Sequence, residues 1–193
     1  MVVTRPAKRL PVRDRLLAAS DELFYRDGVR STGIDAIIEK AGVAKASLYY
    51  IFGGKDELVA AYLRGRHDRW RRDIEARQAG IGDPVVKILV IFDAIADYVS
   101  LPNFRGCPFE LADAEAPVGE CQGVATKEHR DWMEQYFREL AAGTGAADSR
   151  ALADALIVLY NGALATATTS VPPRAAAMTA KRIARLTLAA ADA

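Results

Sequence analysis

Between positions 45 and 55 the chain reads Lys-Ala-Ser-Leu-Tyr-Tyr-Ile-Phe-Gly-Gly-Lys, a dense cluster of side chains that can hydrogen-bond to phosphate. Leu48 and Phe52 lie four apart on one helical face and can anchor a short helix, which turns Lys45, Ser47, Tyr50 and Ile51 outward. Tyr49 falls between the faces: its ring can rest on the scaffold while its hydroxyl reaches a phosphate, and packing alone is the other reading. Lys55 adds a charge at the first turn of the next helix, whose positive N-terminal end also favours an anion. Such a helix suits a phosphate-rich groove, with Ser47 the candidate for a base edge, since a hydroxyl donates or accepts.

Other chemistry is hard to assemble. No G-x-S-x-G or G-x-x-x-x-G-K-[ST] occurs, and the G-x-G from Gly143 to Gly145 follows a helical pattern instead of a strand. His67 and His129 are isolated in sequence, and a Cys107–His129 nucleophile pair lacks a third member. Cys107 and Cys121 lie 14 residues apart with no further ligand at metal spacing, so neither a zinc site nor a disulfide framework is encoded. No enzyme, metal or cofactor is expected.

The elements that must position Lys45 to Lys55 all read as helices. Leu16, Ala19, Leu23 and Phe24 mark a first helix from Val12 to Asp27, stopped by Gly28. Ser31 or Thr32 is the expected cap of a second, striped by Ile34, Ile37, Ile38 and Ala41. Gly42-Val43-Ala44 breaks it, and the third runs from Lys45 to Ile51, ended by Gly53-Gly54. Two short amphipathic helices joined by three residues containing Gly are the helix-turn-helix arrangement, whose second helix enters the major groove.

The stretch from Arg13 to Leu58 resembles the TetR/AcrR DNA-binding domain. The resemblance rests on L-x-x-x-x-x-L-F (Leu17 to Phe24), Asp27-Gly28, I-x-x-A-G-V (Ile38 to Val43), S-L-Y-Y-x-F (Ser47 to Phe52) and K-x-x-L (Lys55 to Leu58). It implies an all-α fold of about nine helices: a DNA-binding domain over 1–54, led by a basic arm over 1–11, then an effector-binding and dimerisation domain over 55–193. It implies that Thr32, Lys45, Ala46, Ser47, Tyr49, Tyr50 and Lys55 face a double-stranded DNA operator, and that repression is relieved by a small-molecule effector. Ala46 stands where Gly is common, and Ile51 where His is common; Ile can make only apolar contact, such as with a thymine methyl. Arg5, Lys8, Arg9 and Arg13 of the arm can follow a backbone or enter the minor groove, or form a solvated tail.

The remaining chain is expected to hold a fourth helix from Lys55 to Gln78, a fifth stopping near Leu101-Pro102 and a short sixth from Pro108 to Ala114. A seventh covers Glu120 to Leu140, an eighth Ser149 to Thr169, and a ninth starts at Pro172-Pro173. Arginines crowd the fourth helix, but Asp68 with Arg72, Arg69 with Asp73 and Asp73 with Arg77 have pairing spacing, so a solvated, internally paired face is expected. The segment Asn103 to Pro117 resembles the R-G-C-x-x-x-x-A-x-x-E stretch of one TetR-like branch, placed beside the ligand cavity. Candidate lining groups are Trp70, Phe92, Tyr98, Cys107, Phe109, Trp132, Tyr136 and Asn161, each also readable as core. Cys107, at the start of the sixth helix and beside Arg105, is open to two readings, an activated thiolate or a small buried residue.

The eighth helix is apolar on nearly all sides and must be covered all round. A second copy can cover one face, and the TetR resemblance implies a homodimer contact here, taking Leu156, Ile157, Tyr160 and Leu164 with Ala176, Ala180 and Ile183 of the Ala-rich ninth helix; a large monomeric core is the alternative. Half of the 193 residues are apolar, and net charge is only +1. The charge is uneven: residues 1–77 carry 16 Lys and Arg against 11 Asp and Glu, and residues 78–193 carry 10 against 14, so a basic surface belongs to the N-terminal part. No apolar run is long enough to span a bilayer and no secretory signal is read, so a cytoplasmic protein is expected. An all-helical interaction adaptor is the competing reading, and it gives no reason for the surface from Lys45 to Lys55.

Overall fold

The computed structural model describes residues 10–115 and 121–191. Within them the chain forms nine helices and no strand: α1 (Val12–Asp27), α2 (Ile34–Ala41), α3 (Lys45–Phe52), α4 (Lys55–Gln78), α5 (Pro84–Tyr98), α6 (Pro108–Glu115), α7 (Cys121–Gly143), α8 (Ser149–Ala167) and α9 (Arg174–Ala191). The arm residues Arg5, Lys8 and Arg9, and Glu120 at the expected start of α7, lie outside the described residues. Helix starts follow local chemistry where a cap exists. Asp83 accepts from the Val85 amide at 2.8 Å with Pro84 at the first helical position, and Asp148 accepts from the Ala151 amide at 2.9 Å.

The ends depart from expectation by about a turn or less. α7 continues through Ala141 and Ala142, strong helix formers, and the Thr144 hydroxyl then donates back to the Ala141 carbonyl at 2.8 Å. α8 stops at Ala167 because the Thr168 and Thr169 hydroxyls turn back onto the carbonyls of Ala165 and Thr166. α9 begins only after Pro172-Pro173.

The chain divides into two compact units, one ending at Tyr62 and one beginning at Leu63. In the first, Leu16, Ile37, Leu48 and Leu58 are completely buried, and Phe24 meets Tyr62 with ring centroids 5.5 Å apart. Each such burial contributes about 1.5–3 kcal/mol, enough to hold eight-residue helices that would not persist alone. Gly42, at φ 62°, makes the turn between α2 and α3 in a backbone conformation an L side chain resists. Arg15 fastens that turn: one guanidinium nitrogen donates to the carbonyls of Ala41 and Gly42, both at 2.9 Å. Position 32 differs from expectation. Gly33 is the N-terminal cap of α2, without a side-chain cap, while the buried Thr32 hydroxyl donates backwards to the Gly28 carbonyl at 2.7 Å.

In the second unit, α5 is the central helix: Ile88, Ile91, Phe92 and Ile95 are fully buried. α8 packs against α7 and α9, and α9 returns along α5. Alanines at Ala153, Ala163, Ala177 and Ala184 are buried and allow close approach of these helices. Lys181 ties α9 to α5 through Asp93 at 2.6 Å.

Candidate nucleic-acid interface and effector cavity

The outer surface of α3 is built as a reading face. Leu48 and Phe52 anchor the helix inward, and Tyr50 is 92% exposed and Tyr49 46% exposed. Lys45 and Ala46 are exposed, and Ser47 and Lys55 half-buried. Lys45 pairs with Asp35 of α2 at 2.9 Å across an exposed surface, a contact weak enough for a phosphate to replace. Lys55 lies 3.5 Å from the Arg30 carbonyl, so its ammonium sits near the start of α2. The first turns of α2 and α3 follow Gly33 and Ala44, neither with a side-chain cap, which leaves backbone N–H groups to solvent or to an anion. Those amides were missed by reading side chains; the signal was the absence of Ser, Thr, Asp or Asn at both cap positions. Thr32, expected on this face, is only 4% exposed and its hydroxyl is engaged within the unit.

The second unit contains a mostly apolar cavity of about 380 Å³. Four of the expected residues, Trp70, Tyr98, Cys107 and Phe109, share its wall with Tyr160 and His129. Asn161 lines a neighbouring cavity of about 340 Å³. Phe92 is fully buried away from both; Trp132 and Tyr136 stack on one another at 5.2 Å, and the Tyr136 hydroxyl bonds the Gln78 side chain. At the margin of the first cavity, Arg77 donates to Asp73 and Asp97 at 2.8 Å each, and Arg174 to Asp97 at 2.9 Å. These two arginines, Arg77 first, hold the Asp97 carboxyl below the usual range. The expected Asp73–Arg77 pair is thus formed, whereas Arg72 reaches the backbone carbonyl of Asp68 instead of its carboxylate.

His67 and His129, distant in sequence, meet in space with their Nδ1 atoms 3.2 Å apart. Burial, then the nearby His67 and Arg130, lowers the His129 pKa to about 3, so the imidazole is neutral. Of the two readings of Cys107, the geometry favours the small buried residue: the side chain is buried, and burial pushes its thiol up to about 11, against which the amides at the start of α6 act too weakly.

The sequence profile of the bacterial regulatory proteins of the tetR family matches residues 16–62. The solved structure of SCO4454, a TetR-family transcriptional regulator from Streptomyces coelicolor, is 31% identical over 94% of this chain and 96% of its own, with a TM-score of 0.87. This chain belongs to the TetR family. A second solved structure, sav143 from Streptomyces avermitilis, agrees at 30% identity, 95% and 99% coverage and a TM-score of 0.83. The regulator LmrA of Bacillus subtilis is 27% identical over 72% of this chain and 76% of its own length. The protein is accordingly a DNA-binding transcriptional regulator of helix-turn-helix type, not an enzyme.

In this TetR-family regulator the residues expected at a dimer contact separate into two groups. Leu156, Tyr160, Leu164 and Ala180 are buried within the protomer; Ile157 and Ala176 are half-buried, and Ile183 is 42% exposed. The outward stripes lie elsewhere on the same helices: Ala151, Val158, Gly162 and Ala165 on α8, with Ala155 half-buried among them, and Ala175, Met178, Ile183 and Leu186 on α9. Val158 is 69% and Leu186 65% exposed. The apolar sequence of α8 marked two covered faces but gave no means of telling which one its own bundle covers.

Proposed function

We propose that this regulator binds a palindromic operator as a homodimer and represses until a small molecule enters the cavity of about 380 Å³. The observation that carries the reading is the division of labour along α4. Its first turn bears Lys55 beside the exposed face of α3, and Trp70 and Arg77 further along it line the cavity. A ligand that shifts the later turns of α4 acts on the helix that holds Lys55. In this reading residues 1–54 form the DNA-binding domain and 55–193 the effector and dimer domain. Lys45, Ser47, Tyr49, Tyr50 and Lys55 contact the operator; Thr32 supports them from behind. The exposed stripes of α8 and α9 meet their copies across a two-fold axis, as a palindrome requires. No helix among the described residues is long and apolar enough to cross a membrane, and the reading places the protein in the cytoplasm with its DNA.

Selection of bound sequences from a random duplex pool tests this. A palindromic consensus is expected, and Tyr50→Ala or Lys55→Ala should each weaken binding about 5- to 150-fold without altering stability, the range of about one to three kcal/mol lost with a single contact. Unchanged affinity in both variants at moderate salt would displace the interface from α3.

A further inference from the structure

Two cavities in the second unit share a wall. Both the first, about 380 Å³, and the second, about 340 Å³, touch Cys107, Phe109, His129 and Tyr160. Their partition includes a single stacked pair: the Phe109 ring lies on the His129 imidazole with centroids 3.7 Å apart and planes within 5°. The two rings belong to different helices, and α6, which carries Phe109, is an eight-residue helix resting chiefly on α7. When Phe109 turns aside, a ligand ring can take its place on His129, and one stack replaces another at little cost.

The compartments differ in charge. In the first, both acids, Asp73 and Asp97, are held by Arg77, so no carboxylate there awaits a cation. The second is lined by Glu110, Asp113 and Glu134 against Arg130. Asp113 takes Arg130 and Glu134 takes Arg138, which leaves Glu110 without an ion pair among the described residues. Glu110 is open to water on one side, and desolvation on the other raises its carboxyl pKa even against the opposing charge of Arg130, so a cation placed in contact with it gains a partner.

We propose that the two cavities are compartments of one site for an aromatic amine, its flat rings in the first and its ammonium against the Glu110 carboxylate in the second. The proposal rests on the first cavity being the effector site. It is tested with three probes that share one ring system and one linker: 4-(1-pyrenyl)butylamine, 4-(1-pyrenyl)butanol and 1-pyrenebutyrate. Binding to the full chain is read by energy transfer from its two tryptophans, Trp70 and Trp132, to pyrene.

The amine should bind about tenfold or more tightly than the alcohol, as expected for a charge-assisted hydrogen bond, and the butyrate should bind most weakly. Glu110→Gln should bring the amine to the alcohol's affinity and leave the alcohol unchanged. Phe109→Leu should tighten all three, since no ring then has to move. Equal affinity for amine and alcohol, or a preference that survives Glu110→Gln, overturns the proposal and leaves the first cavity as an effector site. Failure of all three probes to bind removes that reading as well.

Discussion

Replacing Thr32 with valine separates two roles for one hydroxyl. Its Oγ1 lies 2.7 Å from the Gly28 carbonyl and 3.3 Å from that of Leu23, joining the end of α1 to the start of α2. Valine keeps the shape of the side chain and puts a methyl where the hydroxyl stood. A buried carbonyl left without its donor costs about 1–3 kcal/mol, and burial of the added methyl returns about 0.8 kcal/mol. The net loss is therefore roughly 0.2–2.2 kcal/mol, which for a chain of this length lowers the melting temperature by up to about 9 °C. Urea unfolding followed by circular dichroism measures the stability, and anisotropy of a labelled duplex measures DNA affinity on the same samples. The expected result is lower stability with DNA affinity unchanged well below the unfolding transition. Unchanged stability with weakened DNA binding would mean that the hydroxyl serves the operator and that its buried bonds contribute nothing.

Leu186→Glu should dissociate the dimer and leave a folded monomer on sedimentation, because Leu186 is exposed on the protomer, whereas Leu156→Glu should unfold the chain; a dimeric Leu186→Glu protein would move the interface off α9. Because the folded His129 pKa is depressed from 6.5 to about 3, the unfolded chain binds more protons between those values, so stability should fall as pH drops through this window. His129→Phe should flatten that part of the pH profile, and an identical slope in the variant would assign it to other groups. Cys107, with its thiol near 11, should resist iodoacetamide at pH 8 in the native Cys121→Ser background, and rapid labelling there would contradict its burial.

The sequence by itself determined the helical order of the chain and the face of α3 that meets solvent. Periodicity encodes the helices and the outward side of Tyr50 directly, since Leu48 and Phe52 four apart turn position 50 to the opposite face; Lys45 falls on the Leu48 side by spacing and is exposed because it opens the first turn. The glycines at 28, 42 and 53 marked the turns, since each occupies a positive-φ position. Tertiary structure decided what lies against what. Thr32 carries the composition of a cap or a phosphate ligand, yet the return of the chain after Gly28 buries it against a carbonyl of the preceding turn. In α8, Leu156 and Val158 are equally apolar letters, and only the packing of α7 and α9 buries one completely and leaves the other 69% exposed. His67 and His129 were isolated in sequence because 62 residues separate them, and they meet only when α4 and α7 fold side by side. Local periodicity specifies a helix and its faces; which face is covered, and which distant groups share a cavity, depends on contacts between segments that no local pattern records.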